Sequence, residues 1–137
     1  MSKYRFFLPA ALYYGLIFFL SAQSSPQLPF YFPFVDKVLH FILYTGFGIC
    51  LAWGFARLDL RDGRPRLALV LAVGALLSGL DEIHQIFVPG RSAEVADAVV
   101  DVLGILAGGV VVRWVCHRRT ARARRRSASD PGTPLQP

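Results

Sequence analysis

The sequence predicts an all-α, polytopic membrane protein: a four-transmembrane-helix bundle with both termini cytoplasmic. Three observations carry that reading. Of the 137 residues, 54% are hydrophobic and only 18% charged, an apolar load above that of ordinary soluble domains. The apolar residues gather into four runs, each near the roughly 20 residues that cross a bilayer as a helix. Lys and Arg collect at the run ends that share one side, the side that positive residues mark as cytoplasmic. One domain fits this length, and a multidomain soluble enzyme is excluded.

The first span is read over about residues 5–22, preceded by Lys3 and Arg5. A basic start and a short apolar centre also fit a signal peptide. Leu20, however, stands where a small residue is wanted if cleavage followed Ala22, which favours a retained helix. The second span is read over 36–57, with Asp36 placed to cap its start and oppose the positive end of its dipole. After a loop holding Arg57, Asp59, Arg61, Asp62, Arg64, Pro65 and Arg66, the third runs over 67–88 and stops at the breaker Pro89-Gly90. The fourth covers 94–116. Residues 1–116 then form the transmembrane domain. The tail 117–137, rich first in Arg and then in Ser, Pro and Gly, has too few apolar residues to bury and is expected to be a disordered basic cytoplasmic segment.

Net charge is +6, but the basic residues are not interleaved with aromatics on a polar face, so no nucleic-acid partner is indicated. Cys50 and Cys116 lie late in two different apolar runs, form no metal-ligand spacing and are expected to be small buried residues with no disulfide. The aromatic stretch Phe30-Tyr31-Phe32-Pro33-Phe34 is expected at the membrane interface as an anchor.

The acids divide unevenly. Asp36, Asp81, Glu82, Glu94, Asp97 and Asp101 fall in the outer half, where Lys37 and Arg91 are the basic residues; Asp59, Asp62 and Asp130 fall on the cytoplasmic side. Asp81 lies about 15 residues into its helix, roughly 22 Å of rise in a core near 30 Å thick, so Asp81 and Glu82 are intramembrane. An ionisable group at that depth costs a few kcal/mol at least and must face other helices or a wet cavity.

Residues three or four apart share a helix face. By that rule Asp36, His40 and Tyr44 form one polar row, Asp81, His84 and Gln85 another, and Glu94, Asp97 and Asp101 nearly a third. The rows are expected to converge on an outward-open cavity, with Arg91 as the counter-charge of the carboxylates around it. Gly104, Gly108 and Gly109, with Gly74 and Gly79, are expected to permit close helix approach.

The order Asp36-Lys37-x-x-His40-Phe41-x-x-Tyr44, then Asp81-Glu82-x-x-Gln85-x-Phe87-x-Pro89-x-Arg91, then Asp97 and Gly104, resembles the VanZ family over about residues 36–108. The stretch from Ser21 to Pro26 also resembles that family's serine-rich boundary, whereas Asp101 stands where the family commonly shows Asn. The resemblance implies a multi-pass protein of the bacterial cytoplasmic (inner) membrane, one of whose relatives confers low-level resistance to the glycopeptide teicoplanin.

Several readings fit these residues. In the first, an enzyme acts on a lipid or lipid-linked cell-wall precursor: Asp36, His40, Asp81, Glu82, Gln85, Arg91 and Asp97 form the catalytic candidates, with Lys37, Tyr44, His84 and Asp101 as substrate-binding candidates. No GxSxG elbow or HExxH helix supports a named hydrolase mechanism. His40, His84, Asp36, Asp81 and Glu82 are acceptable ligands for zinc or, through the carboxylates, magnesium, but their scattered spacing assigns no metal, and the sequence leaves the cofactor open. In the second, a non-catalytic protein binds or shields an envelope lipid, a glycopeptide or a partner protein. Ion transport ranks last, because nothing ionisable continues the path between Cys50 and Arg57 or from Leu67 to Leu77. The bland alternative is that the polar groups hold four short helices together, with Arg91 neutralising Glu94 and Asp97.

Overall fold

The computed structural model describes residues 3–23, 34–58, 66–91 and 93–129, with side chains from 4 and up to 126. A 3-10 turn, Lys3–Phe7, leads into α1 (Leu8–Ser21); α2 (Val35–Leu58), α3 (Leu67–Gln85) and α4 (Val95–Ser129) follow, and no strand occurs among the described residues. Among the described residues four helical stretches, the first of them α1 together with its 3-10 turn (Tyr4–Ser21), are long and apolar enough to cross a membrane. The interface stretch 30–33, the middle-loop residues Asp59, Arg61, Asp62, Arg64 and Pro65, and Asp130 lie outside the described residues.

Three helix boundaries have a local cause. Pro9 sits in the first turn of α1, where its missing N–H takes nothing from the helix. The Val38 N–H bonds the Phe34 carbonyl at 3.0 Å, which puts the cap position of α2 on Phe34. Asp36 is therefore not the cap; it lies within the first turn, where its charge still opposes the dipole. α3 stops at Gln85, three residues before the expected boundary. The next N–H groups, of Ile86, Phe87 and Val88, bond carbonyls three residues back, tightening the chain into a turn that Gly90 completes at φ +80°.

The expectation of a disordered tail is corrected for residues 117–129, which continue α4. Low apolar content does prevent a segment from building its own core. Extending a helix that already exists needs only one more bond per residue, and this stretch is Ala- and Arg-rich with neither Gly nor Pro before Pro131. At 35 residues α4 is about 52 Å long, well beyond a bilayer core. Arg118 lies over the Trp114 ring, 3.9 Å from its centroid, where the helix leaves the apolar stretch.

α1 and α3 run parallel to each other and antiparallel to the parallel pair α2 and α4. Phe7 meets Phe55 edge-to-face at 5.1 Å and Arg57 lies over Phe6 and Trp53, so the start of α1 and the end of α2 share a basic end of the bundle. Both ends of the described chain lie on that side. The opposite, polar end gathers Ser21, Lys37, Asp81 and Asp97.

α2 and α4 make the most extensive contact. A Cβ at Gly104 would lie 2.8 Å from the Phe41 carbonyl oxygen, and one at Gly48 would lie 2.7 Å from that of Ile105; at Gly108 it would collide with the Thr45 carbonyl. These glycines bring the two backbones together, which is the close approach that small residues permit between membrane helices. Gly79 takes no part among the described residues, none of which lies within 4 Å of its added Cβ. Tyr44, Phe47, Leu51, Ala52, Val70 and Ile105 form the buried centre. Cys50 and Cys116 are free and half-buried rather than fully buried.

The surface inverts the pattern of a water-soluble helix. On α3, Leu76, Leu80 and Ile83 are exposed while Ser78, Asp81, Glu82 and Gln85 are buried. Outward apolar and inward polar residues are what a lipid solvent demands.

Candidate functional site

Consecutive helix positions point about 100° apart, so Asp81 and Glu82 cannot serve the same neighbours. Asp81 turns to α1 and α2. Its carboxylate accepts from Ser21 Oγ at 2.6 Å, from the Tyr44 hydroxyl at 3.1 Å and from Gln85 Nε2 at 3.4 Å. Donors from three helices thus surround a carboxylate with no solvent exposure. Alongside, the Tyr14 hydroxyl donates to the Leu77 carbonyl at 2.9 Å, a second tie between α1 and α3.

Asp101, also without solvent exposure, is the centre of the second cluster. Oδ1 meets His40 Nδ1 at 2.9 Å and Oδ2 accepts from Ser78 Oγ at 2.8 Å, joining α2, α3 and α4. The His40 ring is stacked near Tyr44, with centroids 6.2 Å apart. An imidazole held by a carboxylate is the arrangement that fixes a tautomer and prepares a ring for proton transfer or metal ligation.

Glu82 faces the start of α4. Its Oε2 accepts the Glu94 backbone N–H at 3.1 Å, satisfying a donor that the helix start leaves over, while Oε1 is buried with no hydrogen-bond partner among the described residues. His40, Glu82 and Asp101 present ligand atoms within 4.8 Å of one another, and so do Asp36, His40 and Asp97.

At the rim, Lys37 Nζ bridges Asp97 at 2.6 Å and Glu94 at 2.8 Å. For Glu94 and Asp97 the counter-charge expected of Arg91 is therefore supplied by Lys37. The helix start carries Lys37 across to α4, whereas the Gly90 turn directs Arg91 to Asp36, at 3.6 Å. The Arg91 Nε is buried without a hydrogen-bond partner among the described residues.

The three rows therefore meet, by direct contact between their side chains. Short side chains on closely packed α2 and α4 leave their polar atoms within bonding distance. A cavity of about 290 Å³ lies at the other, basic end, between Phe55, Leu58, Arg66 and Leu69. His84 leaves its row: its ring packs on Phe18 at 4.1 Å, with Nδ1 buried and unpartnered among the described residues. Ser21, Ser78 and Tyr14 were missed as polar partners. Ser78 had a signal, since it lies three residues before Asp81 and seven before Gln85 on one face of α3. Ser21 was marked only by the serine-rich boundary and Tyr14 by nothing, and neither partner was readable, because the partners lie 60 and 63 residues away.

The VanZ/LLP1 family model matches residues 5–116, the span that holds every residue of these clusters. The chain belongs to the VanZ/LLP1 family. Neither a curated protein nor a solved structure matches it. Within this VanZ/LLP1 chain the polar clusters are built by α1 to α4 and the turn after α3, and the match ends at Cys116, before the Arg-rich extension of α4. The helical, multi-pass character is common to the sequence and the structure.

Proposed function

We propose that this VanZ/LLP1 protein binds the anionic headgroup of a lipid or lipid-linked cell-envelope intermediate at the outer face of the bacterial cytoplasmic membrane. Glycopeptide (teicoplanin) tolerance is the phenotype that follows. The basic end, with Arg5, Arg57, Arg66 and the Arg-rich end of α4, faces the cytoplasm, and the polar end faces outward.

The observation that carries this reading is Arg91. Its guanidinium stands at the outer rim in the turn after α3, mostly buried, and among the described residues it has one 3.6 Å contact to an exposed carboxylate and an unpartnered Nε. A planar fork of donors left largely uncommitted in protein suits a phosphate or carboxylate, which it grips through two parallel hydrogen bonds. Lys37, by contrast, is held by two carboxylates, those of Glu94 and Asp97.

A second reading is supported by Asp81. Three donors satisfy its carboxylate within the protein, so the cluster of Asp81, Ser21, Tyr44 and Gln85 serves as glue between helices. The two readings divide the polar end between them: Asp81 holds the bundle, and Arg91 with His40, Glu82 and Asp101 forms the working half.

The test replaces Arg91 by Lys and by Ala in a glycopeptide-susceptible host and reads folded protein in the membrane and teicoplanin tolerance from the same cells. Normal accumulation with tolerance lost in both variants supports the reading, because Lys keeps the charge and loses the fork. Tolerance equal to that of the unsubstituted chain in Arg91→Ala sinks it.

A further inference from the structure

We propose that His40, Glu82 and Asp101 bind one divalent transition-metal ion, with Zn²⁺ the best match. α2, α3 and α4 each supply one ligand, and the three ligand atoms lie within 4.8 Å of one another, so small side-chain rotations bring them to a common ion at bonds of roughly 2.0–2.2 Å. One imidazole nitrogen and two carboxylates are a mixed donor set that suits zinc better than the all-oxygen ions.

Three carboxylates and imidazoles in proximity do not by themselves make a site. The independent observation is Glu82, 6% exposed, whose Oε1 has no partner among the described residues although its Oε2 is held by the Glu94 N–H. A buried carboxylate oxygen without a donor is costly, and a cation removes that cost. The surroundings also fit. Ser78 Oγ holds Asp101 from behind and the Glu94 N–H holds Glu82, the kind of outer hydrogen bonds that aim metal ligands. Two carboxylates neutralise a divalent ion, leaving no net charge in the apolar interior.

The overlapping group of Asp36, His40 and Asp97 lacks these features. Asp97 is already neutralised by Lys37 Nζ at 2.6 Å, and Asp36 is exposed. Three protein ligands leave at least one coordination position for water or for an oxygen of a bound phosphate, the pattern of reactive zinc sites. The inference rests on the polar end being a working site, and it adds the group through which that site polarises an anionic headgroup.

The experiment uses the full chain, purified in detergent and stripped with chelator. Zn²⁺ alone is titrated and counted by mass spectrometry of the metal after dialysis, while imidazole NMR follows the histidines. The expected result is one Zn²⁺ per chain with the His40 resonance shifted, and affinity at least about 100-fold weaker in Glu82→Gln, since even outer-shell partners cost up to about that factor. Thermal unfolding of helix circular dichroism checks the fold of each variant. Where Glu82→Gln fails to fold, the unsubstituted chain decides: no stoichiometric Zn²⁺, or Zn²⁺ bound with His40 unmoved, overturns the site. Binding lost in Asp36→Asn but kept in Glu82→Gln overturns it too, in favour of the other group. Tolerance retained without zinc binding removes the metal and leaves the headgroup reading standing, whereas zinc bound by a chain that gives no tolerance does the reverse.

Discussion

Ser21 Oγ at the last turn of α1 donates to Asp81 Oδ1 near the end of α3 at 2.6 Å, joining residues 60 positions apart in the buried interior. The same carboxylate takes the Tyr44 hydroxyl from α2. A hydrogen bond to a charged group contributes about 1.5–3 kcal/mol, and removing the carboxylate strands every donor around it. Ser21→Ala is expected to lower stability by about 1.5–3 kcal/mol, and Asp81→Ala by more than Ser21→Ala. Chemical unfolding in detergent micelles measures both. Equal stability of Asp81→Ala and the unsubstituted chain would remove the glue role.

Gly108 and Gly79 are both helical glycines with opposite surroundings. An added methyl at Gly108 meets the Thr45 carbonyl and the Ile49 amide, backbone atoms that cannot turn aside, while at Gly79 it meets nothing within 4 Å. Gly108→Ala is expected to cost about 1–3 kcal/mol through forced separation of α2 and α4. Gly79→Ala is expected to be neutral or to stabilise by up to about 1 kcal/mol through helix propensity. The difference between the two thermal midpoints is the measurement.

Asp101 accepts from Ser78 through one oxygen and meets His40 Nδ1 through the other. A carboxylate only accepts, so in the metal-free chain His40 Nδ1 carries the proton in that contact. In Asp101→Asn the amide nitrogen takes one of these positions. If it faces His40 it donates to Nδ1, and the proton moves to Nε2; that orientation keeps Ser78 satisfied by the amide oxygen. Nitrogen NMR of the imidazole is expected to show the tautomer exchange, and an unchanged tautomer would show that the amide takes the opposite orientation.

Lys37 and Arg91 are the two cations of the polar end and they are unequally committed. Lys37 has carboxylate contacts at 2.8 and 2.6 Å, the second to the buried Asp97; Arg91 has one at 3.6 Å. Lys37→Met is therefore expected to reduce folded protein in the membrane more than Arg91→Met. Quantifying both in membranes at equal expression tests the order, and the reverse order would make Arg91 the structural cation.

Four apolar runs, their approximate limits and the concentration of acids at one end were all legible in the sequence, because a lipid solvent imposes its requirement on every residue of a span locally. So was convergence of the polar rows, since i, i+3 and i+4 spacing sets which side chains share a face. The extension of α4 to Ser129 was hidden behind a composition that forbids an independent core but permits a helix already begun. Partners were not legible. Periodicity gives a face but not the helix it meets, so only the packed structure divided Asp81 toward α1 and α2 from Glu82 toward α4, gave Glu94 and Asp97 to Lys37, and sent His84 to Phe18. The sequence by itself determined that this chain is a four-span bundle with a charged end; tertiary structure decided which charges are neutralised there and which remain free to act, because those pairings depend on helix rotation and approach set by contacts such as Gly104 and Gly108 against α2.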